Sequence, residues 1–391
     1  MPSKSSERPH VLILGAGLAG LALAQGLRKQ GVSFQIFERD EGLHARFQGW
    51  AIALHMMLSD LKQSVPSDLS PVETTSHLNP LDLPAQFCMY GEDGSRFAVT
   101  STEDKPIVRA NRSRLREWLA TKVDVEWNKT MAKIEEDEKS VTVHFTDGTS
   151  ATGDVLVGCD GVHSFVRNYL FPNQDLLHTS PVGLLVGQVT LNREQYERQL
   201  SIGHSIYIAV APKGSRLFVG LNSISQDKES ARYYWFVSWP DQAASQEPYW
   251  TATASKQESY DTAVEKTETL DPKLTEIIRL TKAEDMMTPP VVFRDMLPQE
   301  IPDGRVLLAG DAAHPMTPAR GEGGNHAILD SLNLARALGK SNKEDVKMRG
   351  REPSTALGVR AEKTKAGVKT ASYNDGGRLT PSCGKRIDVL Q

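Results

Sequence analysis

Cysteine is scarce: Cys88, Cys159 and Cys383 are the only three among 391 residues, widely spaced, with no CxxC pair and no Cys/His cluster at metal spacing. This excludes a disulfide scaffold and a structural zinc site, and points to a reducing compartment. An excess of one charge is missing too. Lys+Arg 45 against Asp+Glu 49 leaves a net charge of −4, so the chain has no electrostatic footprint for nucleic acid or an anionic membrane surface. Long apolar runs are also absent. Val11 to Leu27, preceded by Lys4 and Arg8 in the manner of a secretory signal, is interrupted by Gly15, Gly17, Gly20 and Gly26, and nowhere do about 18 apolar residues follow one another. The expectation is a soluble, cytoplasmic protein without a transmembrane segment or internal repeat. At about 100–200 residues per domain, the length suggests two or three domains.

What is present begins with a strand–turn–helix. Val11–Leu14 is a short β-rich run ending at glycine, 19–29 has helical composition, and 32–37 is a second strand. Together they form a βαβ unit of about 30 residues, the start of a parallel, doubly wound sheet. Pro66, Pro71, Pro80 and Pro84 mark a loop that leads out of this unit. A helix is expected over 110–119, a hairpin strand over 139–148 before Asp147-Gly148, and a buried strand over 155–157. Strand-like runs at 184–191, 205–211, 217–221 and 233–239 predict an inserted, largely antiparallel sheet without crossover helices. Residues 305–338 return to the opening pattern. The expected division is a discontinuous nucleotide-binding domain (8–80, 105–180, 290–340), a substrate domain (81–104, 181–289) and a poorly ordered or atypical tail (341–391). That tail has eleven Lys/Arg against six Asp/Glu. A short helix over 356–369 is its alternative reading.

Chemistry enters at Gly15-Ala16-Gly17-Leu18-Ala19-Gly20, between strand and helix. Gly15 permits the turn, Gly17 lets backbone approach a pyrophosphate, and Gly20 allows close packing of helix on strand. Glu38, eighteen residues after Gly20, is the acid for ribose hydroxyls. The motif alone leaves FAD and NAD(P) both open. Gly158 to Arg167 then places Asp160 and Gly161 at the carboxyl end of a buried strand, and Val306 to Pro315 repeats the device with Asp311. Pro318, Gly321, Gly323 and Gly324 lead from there into a helix over 327–338, whose first amides can meet negative charge. These segments, in this order, select FAD.

From about Val11 to Leu338 the chain resembles the class A flavoprotein monooxygenases, the p-hydroxybenzoate hydroxylase and salicylate hydroxylase family, in its secondary-metabolite branch. The resemblance implies an α/β fold: a Rossmann-like FAD-binding domain with an inserted, mainly antiparallel substrate domain. It implies that Gly15, Gly17 and Gly20 hold the ADP half of FAD, with Glu38 and its neighbour Arg39 at the adenosine ribose. Asp160 belongs to the motif associated with FAD and NAD(P)H, and Asp311 to the one that binds ribitol. Arg112 or Arg116 is the arginine contact from the helix, and Arg46 with Gly49 forms a loop beside the flavin. Glu322 stands where the family commonly has glutamine, and the tail beyond Leu338 does not resemble the packed helices that usually follow.

The implied activity is transfer of one atom of O2, by hydroxylation or epoxidation through a C4a-hydroperoxyflavin, to a small aromatic or polyketide- or terpenoid-like molecule. NAD(P)H is the transient reductant, since a second GxGxxG is absent. The flavin carries the chemistry, so no catalytic side chain is assigned. Tyr207, Phe218, Tyr234, Phe236 and Trp239 are read as strand packing before substrate contacts, His163 and His314 as packing residues beside the cofactor, and Cys159 as packing in the DG turn. Arg320 is read equally as a solvated loop residue and as a cation at the flavin edge. Glu135 to Glu138 are the exposed end of a hairpin. The alternatives are an FAD-dependent dehydrogenase or reductase on the same scaffold, and a non-catalytic flavin-binding protein with a defective C-terminus.

Overall fold

The computed structural model describes residues 7–288, 291–297, 299–318 and 321–343. Arg320, Cys383, the helix expected over 356–369 and nearly all of the tail lie outside the described residues. In chain order the first part contains β1 (Val11–Leu14), α1 (Leu18–Gln30), β2 (Phe34–Phe37), β3 (Ala51–Leu54), α2 (Leu58–Ser64), β4 (Gln86–Tyr90), β5 (Arg96–Thr100), β6 (Val108–Asn111) and α3 (Arg112–Ala120). Then follow β7 (Val125–Glu126), β8 (Met131–Glu136), β9 (Val141–Phe145), β10 (Ser150–Gly153), β11 (Val155–Gly158), α4 (Phe165–Leu170) and β12 (His178–Thr179). The last part runs β13 (Val182–Asn192), α5 (Arg193–Ile202), β14 (Ile206–Val210), β15 (Arg216–Ile224), β16 (Ser230–Pro240), α6 (Lys256–Thr267), α7 (Pro272–Arg279), β17 (Arg294–Asp295), β18 (Val306–Leu308) and α8 (Gly323–Gly339).

β1 and β11 are apolar along their length because both faces are covered, as a central parallel strand requires. The parallel sheet runs β18-β11-β1-β2-β7, drawing its strands from residues 11 to 308. α1, α3 and α8 cover one face, where Leu23, Leu27, Leu115, Ile328 and Leu332 share a core. On the other face β10-β9-β8 close over Leu12, Phe37 and Leu156. Arg305 fastens the two sheets, its guanidinium donating to the carbonyls of Glu138 and Asp154 and its amide to the Glu136 carboxylate.

The second large sheet has the order β13-β16-β15-β14-β4-β5. Four of its five strand pairings are antiparallel, as expected, but β4 joins β14 in parallel and α5 intervenes between β13 and β14. Alternation along β16 separates two faces. Tyr233, Trp235, Val237 and Trp239 point into a core roofed by α7 residues Leu274, Ile277 and Ile278. Tyr234 and Phe236 point the other way, where they meet Trp50 just before β3. Both large sheets belong to one compact unit.

Candidate functional site

The glycine turn is fixed by space as well as by conformation. Gly15 has φ +100°, and a side chain there would also meet the Cys159 carbonyl at 2.5 Å; one on Gly20 would meet the Gly15 carbonyl at 1.9 Å. Beside Gly17 the space is open, with no atom within 4 Å of an added Cβ. Gly17 is the N-cap of α1, which has no side-chain cap and no acid in its first turn, so its amides and dipole remain free for an anion. At the end of β2, buried Glu38 accepts the amides of Ala16 at 2.7 Å and Asp40 at 3.1 Å. Each carboxylate oxygen keeps lone-pair capacity for a hydroxyl. Arg39 is exposed beside it.

α3 begins where the Asn111 side chain accepts the amides of Ser113 and Arg114. One helical turn apart, Arg112 and Arg116 project toward the same region. Arg116 is 2% exposed; its Nε donates to the Ala16 carbonyl at 2.8 Å and its Nη1 to the Leu43 carbonyl at 2.6 Å. Its Nη2 is buried without a partner among the described residues. Arg112 is exposed and lies against Gly49, itself at φ +89°. The surrounding protein pushes both guanidinium groups below the usual arginine range, with Arg46 adding like-charge repulsion. Asp311 opposes this at Arg112, and Glu38 opposes it at Arg116. A single short helix therefore spans the interval between the two carboxylates. Arg46 completes the rim, its Nε donating to Asp40 at 2.6 Å.

Asp311 is exposed in a 3₁₀ turn, Gly310–Ala312, directly after β18. Arg167 reaches that turn from α4, donating to the carbonyls of Ala312 at 3.1 Å, Asp311 at 3.4 Å, and Val162. Asp160 is turned inward on its own loop. Its carboxylate accepts the Ser164 hydroxyl at 2.5 Å and the amides of Phe165 at 2.7 Å and Val166 at 3.2 Å, capping α4. Burial raises its pKa against those hydrogen bonds. Its side chain thus shapes the turn.

α8 starts at Gly323, four residues earlier than the sequence suggests, and has neither a side-chain cap nor an acid in its first turn. Its start abuts β3: a Cβ on Gly324 would lie 2.0 Å from Ile52 Cδ1. Pro318 is exposed before it and Gly321 has φ +64°. Glu322 lies 3.7 Å from His326 Nε2. His314 is held by buried Asp330, and although burial works against its charge, that carboxylate raises its pKa. Cys159 is buried with its thiol pushed far up by burial, as an inert packing group requires. His163 faces Arg294, 3.4 Å away.

Among the five strand aromatics, the structure separates Tyr207 and Trp239, which sit in the core, from Phe218, Tyr234 and Phe236, which cluster on the opposite face of the sheet beside Trp50. Trp50, unremarked in the sequence, stacks on Tyr234 with ring centroids 5.0 Å apart and meets Phe236 edge-on at 4.9 Å. Buried Arg109 donates to the Tyr234 hydroxyl at 2.6 Å. Asn325, also missed, ties α8 to β3 through the Ala53 carbonyl at 2.8 Å. Trp50 follows Gly49, and Arg109 breaks an apolar strand; those were the available signals.

FAD fits these residues. The space beside Gly17, the free amides of α1 and α8, the orphaned Nη2 of Arg116 and the exposed Arg112 match a molecule with a central diphosphate and a polar ring at one end. A family model described as an FAD binding domain matches residues 8–349. The FAD-dependent monooxygenase thnD of Trichoderma harzianum is 44% identical over 341 residues, covering 86% of this chain and 84% of that protein. The FAD-dependent monooxygenase phnB of Penicillium herquei is 29% identical, covering 85% and 82%. Among solved structures, a putative FAD-containing monooxygenase from Photorhabdus luminescens superposes with TM-score 0.70 at 24% identity, covering 93% of this chain and 100% of that one. Klebsiella pneumoniae HpxO, complexed with FAD and uric acid, gives TM-score 0.66 at 19% identity, covering 92% and 90%. The chain belongs to the FAD-binding family of flavoprotein monooxygenases.

Proposed function

We propose that this monooxygenase uses NAD(P)H and O2 to hydroxylate or epoxidise a small electron-rich aromatic or polyketide- or terpenoid-like molecule in secondary metabolism. The observation that carries the reading is α3. Its two arginines lie between Glu38 and Asp311, and the Trp50–Tyr234–Phe236 wall stands on the side of Arg112. FAD, when bound, supplies the redox and oxygen-transfer chemistry. The chain supplies position and field. Glu38 would accept the adenosine ribose hydroxyls, Asp311 the ribitol hydroxyls, and Arg112 with Arg116 the diphosphate. The uncapped start of α8 would stabilise negative charge on the ring system by about 0.3–1 kcal/mol. Trp50, Tyr234 and Phe236 would hold a planar substrate and keep water from the reacting face.

For NAD(P)H the supporting feature is a polar cleft of about 520 Å³ beside α4, lined by His163, Arg167, Asn168, Gln174 and Asp175. It opens from the same turn that Asp160 holds.

The FAD-loaded protein should consume NADH or NADPH faster when phenols are added, and heavy-isotope O2 should deliver one labelled atom to the product. Stimulated oxidation without label in product would support a reductase instead; no nucleotide oxidation at all would leave only flavin binding.

A further inference from the structure

The Asp311 turn is wedged between α1 and α8. A Cβ on Gly310, which has φ +62°, would lie 3.0 Å from the Ala19 Cβ of α1 and 3.1 Å from the Ala327 Cβ of α8. Small residues on three elements therefore let the turn sit against both of the helices whose first amides are free for an anion. The turn then closes on itself, the His314 amide donating to the Gly310 carbonyl at 3.0 Å.

From that point the His314 side chain reaches α8. Its Nε2 meets the carboxylate of Asp330, three residues beyond Ala327 on the same face of the helix, and its Nδ1 is buried without a partner among the described residues. Asp330 is buried and close enough to Cys159, at the end of β11, to act on its thiol. Asp311 bears on the His314 ring from the turn, and His326, with Glu322 beside it, stands edge-on at 6.5 Å.

We propose that His314 and Asp330 form a proton-bearing clasp that seats the Asp311 turn on α8, so that FAD and a proton at His314 are bound cooperatively. Two physical effects act in the same direction. An imidazolium makes a stronger hydrogen bond to a carboxylate than a neutral ring does, so the clasp is tightest when protonated. Its positive charge also favours the diphosphate and negative charge on the ring system. Burial opposes that charge, but the hydrogen bond and charge of Asp330, with Asp311 behind it, outweigh burial and raise the pKa above the ordinary 6.5. The protonated clasp is therefore complete below pH 6.5 and is lost as pH rises through the raised value. His314 is a positioning residue, acting on the cofactor through the turn that carries Asp311.

The test is titration of the full chain, freed of FAD, with FAD from pH 6 to pH 9, read by flavin fluorescence and by calorimetry in buffers of different ionisation enthalpy. The wild-type dissociation constant should rise about fivefold or more across that range, the lower end of coupling between two sites, with net proton uptake on binding. His314→Gln should bind FAD at pH 6 as weakly as the wild type does at pH 9, with a flat profile and no uptake. Asp330→Asn should move the fall in affinity to lower pH, and His326→Gln should leave it in place. A flat wild-type profile without proton uptake overturns the clasp, as does a slope that His314→Gln retains or that only His326→Gln removes. Should His314→Gln fail to fold, His326→Gln decides: proton uptake that persists there supports the clasp, and its loss overturns it. The clasp acts on the cofactor whatever substrate is oxidised. A chain that binds no FAD at any pH overturns flavin binding, and the clasp with it.

Discussion

At the scale of single residues, charge surrounded by protein sets what can be tested. His77 is fully buried, its Nδ1 donating to the Leu221 carbonyl at 2.7 Å and its Nε2 3.0 Å from the Ser205 hydroxyl. Burial foremost, and then the charge of Arg109, push its pKa down to about 3. The unfolded chain binds that proton near 6.5, so the stability held in the neutral ring is complete above pH 6.5. It is lost as pH falls toward 3, at about 1.4 kcal/mol per unit. Urea midpoints between pH 7 and 5 should therefore fall in the wild type and fall less steeply in His77→Gln; equal slopes would refute the assignment. Arg112→Met removes a cation with no side-chain hydrogen bond among the described residues. It should weaken FAD binding about tenfold to a hundredfold, on the scale of hydrogen bonds to charged groups, without loss of secondary structure. Flavin fluorescence during titration measures it, and an unchanged dissociation constant would contradict the role. Glu38 was legible because glycine and acid spacing is local, whereas Arg116 entered only through the family resemblance. Trp50 and Arg109 were not legible, since only the packing of the β3–β6 pair against β16 brings them to Tyr234.

Among the elements, α4 is six residues long and starts on the Ser164 cap, with Asp160 accepting the Ser164 hydroxyl and the first two helical amides. Asp160→Ala should cost about 2 kcal/mol, from the lost acceptor of two helical amides and of the Ser164 hydroxyl. It should raise KM for NAD(P)H while FAD affinity changes by less than about threefold. A large loss of FAD affinity would instead mean that the carboxylate acts on the cofactor directly. The elements at either end of the chain could be read because an apolar strand, a glycine turn and an apolar helix follow one another without interruption. α6 could not, since only Ser259, Ala263 and Thr267 of its residues are buried, although the capping box of Ser255 and Glu258 marks its start. α7 has a proline at its first position after the Asp271 cap, a signal that the strand-rich surroundings obscured. The two-sidedness of β16 was hidden as well. Both of its faces are covered, so its sequence shows a nearly continuous apolar run.

For the whole molecule, β6 of the β3–β6 pair and the loop before β4 are tied to the six-stranded sheet by a few polar contacts. The Asn111 side-chain amide donates to the Asn222 carbonyl at 3.0 Å, Arg109 to Tyr234, and His77 to Leu221. A ligand held mainly by the folded chain adds to this, by about 2.7 kcal/mol at a hundredfold excess over its dissociation constant. Removing FAD should lower Tm by several degrees and reloading should restore it; a Tm indifferent to FAD would mean that the cofactor contributes nothing to the fold. Arg116 and Arg167 have a wider consequence. Both are anchored on neutral carbonyls instead of acids. Dipoles fix a cation in place without cancelling it, so neither anchor lets go when carboxylates are protonated. Glu38 near Arg116 and Asp160 near Arg167 offset part of that charge without holding either side chain in place, and added salt should weaken the arrival of an anion long before it loosens either arginine.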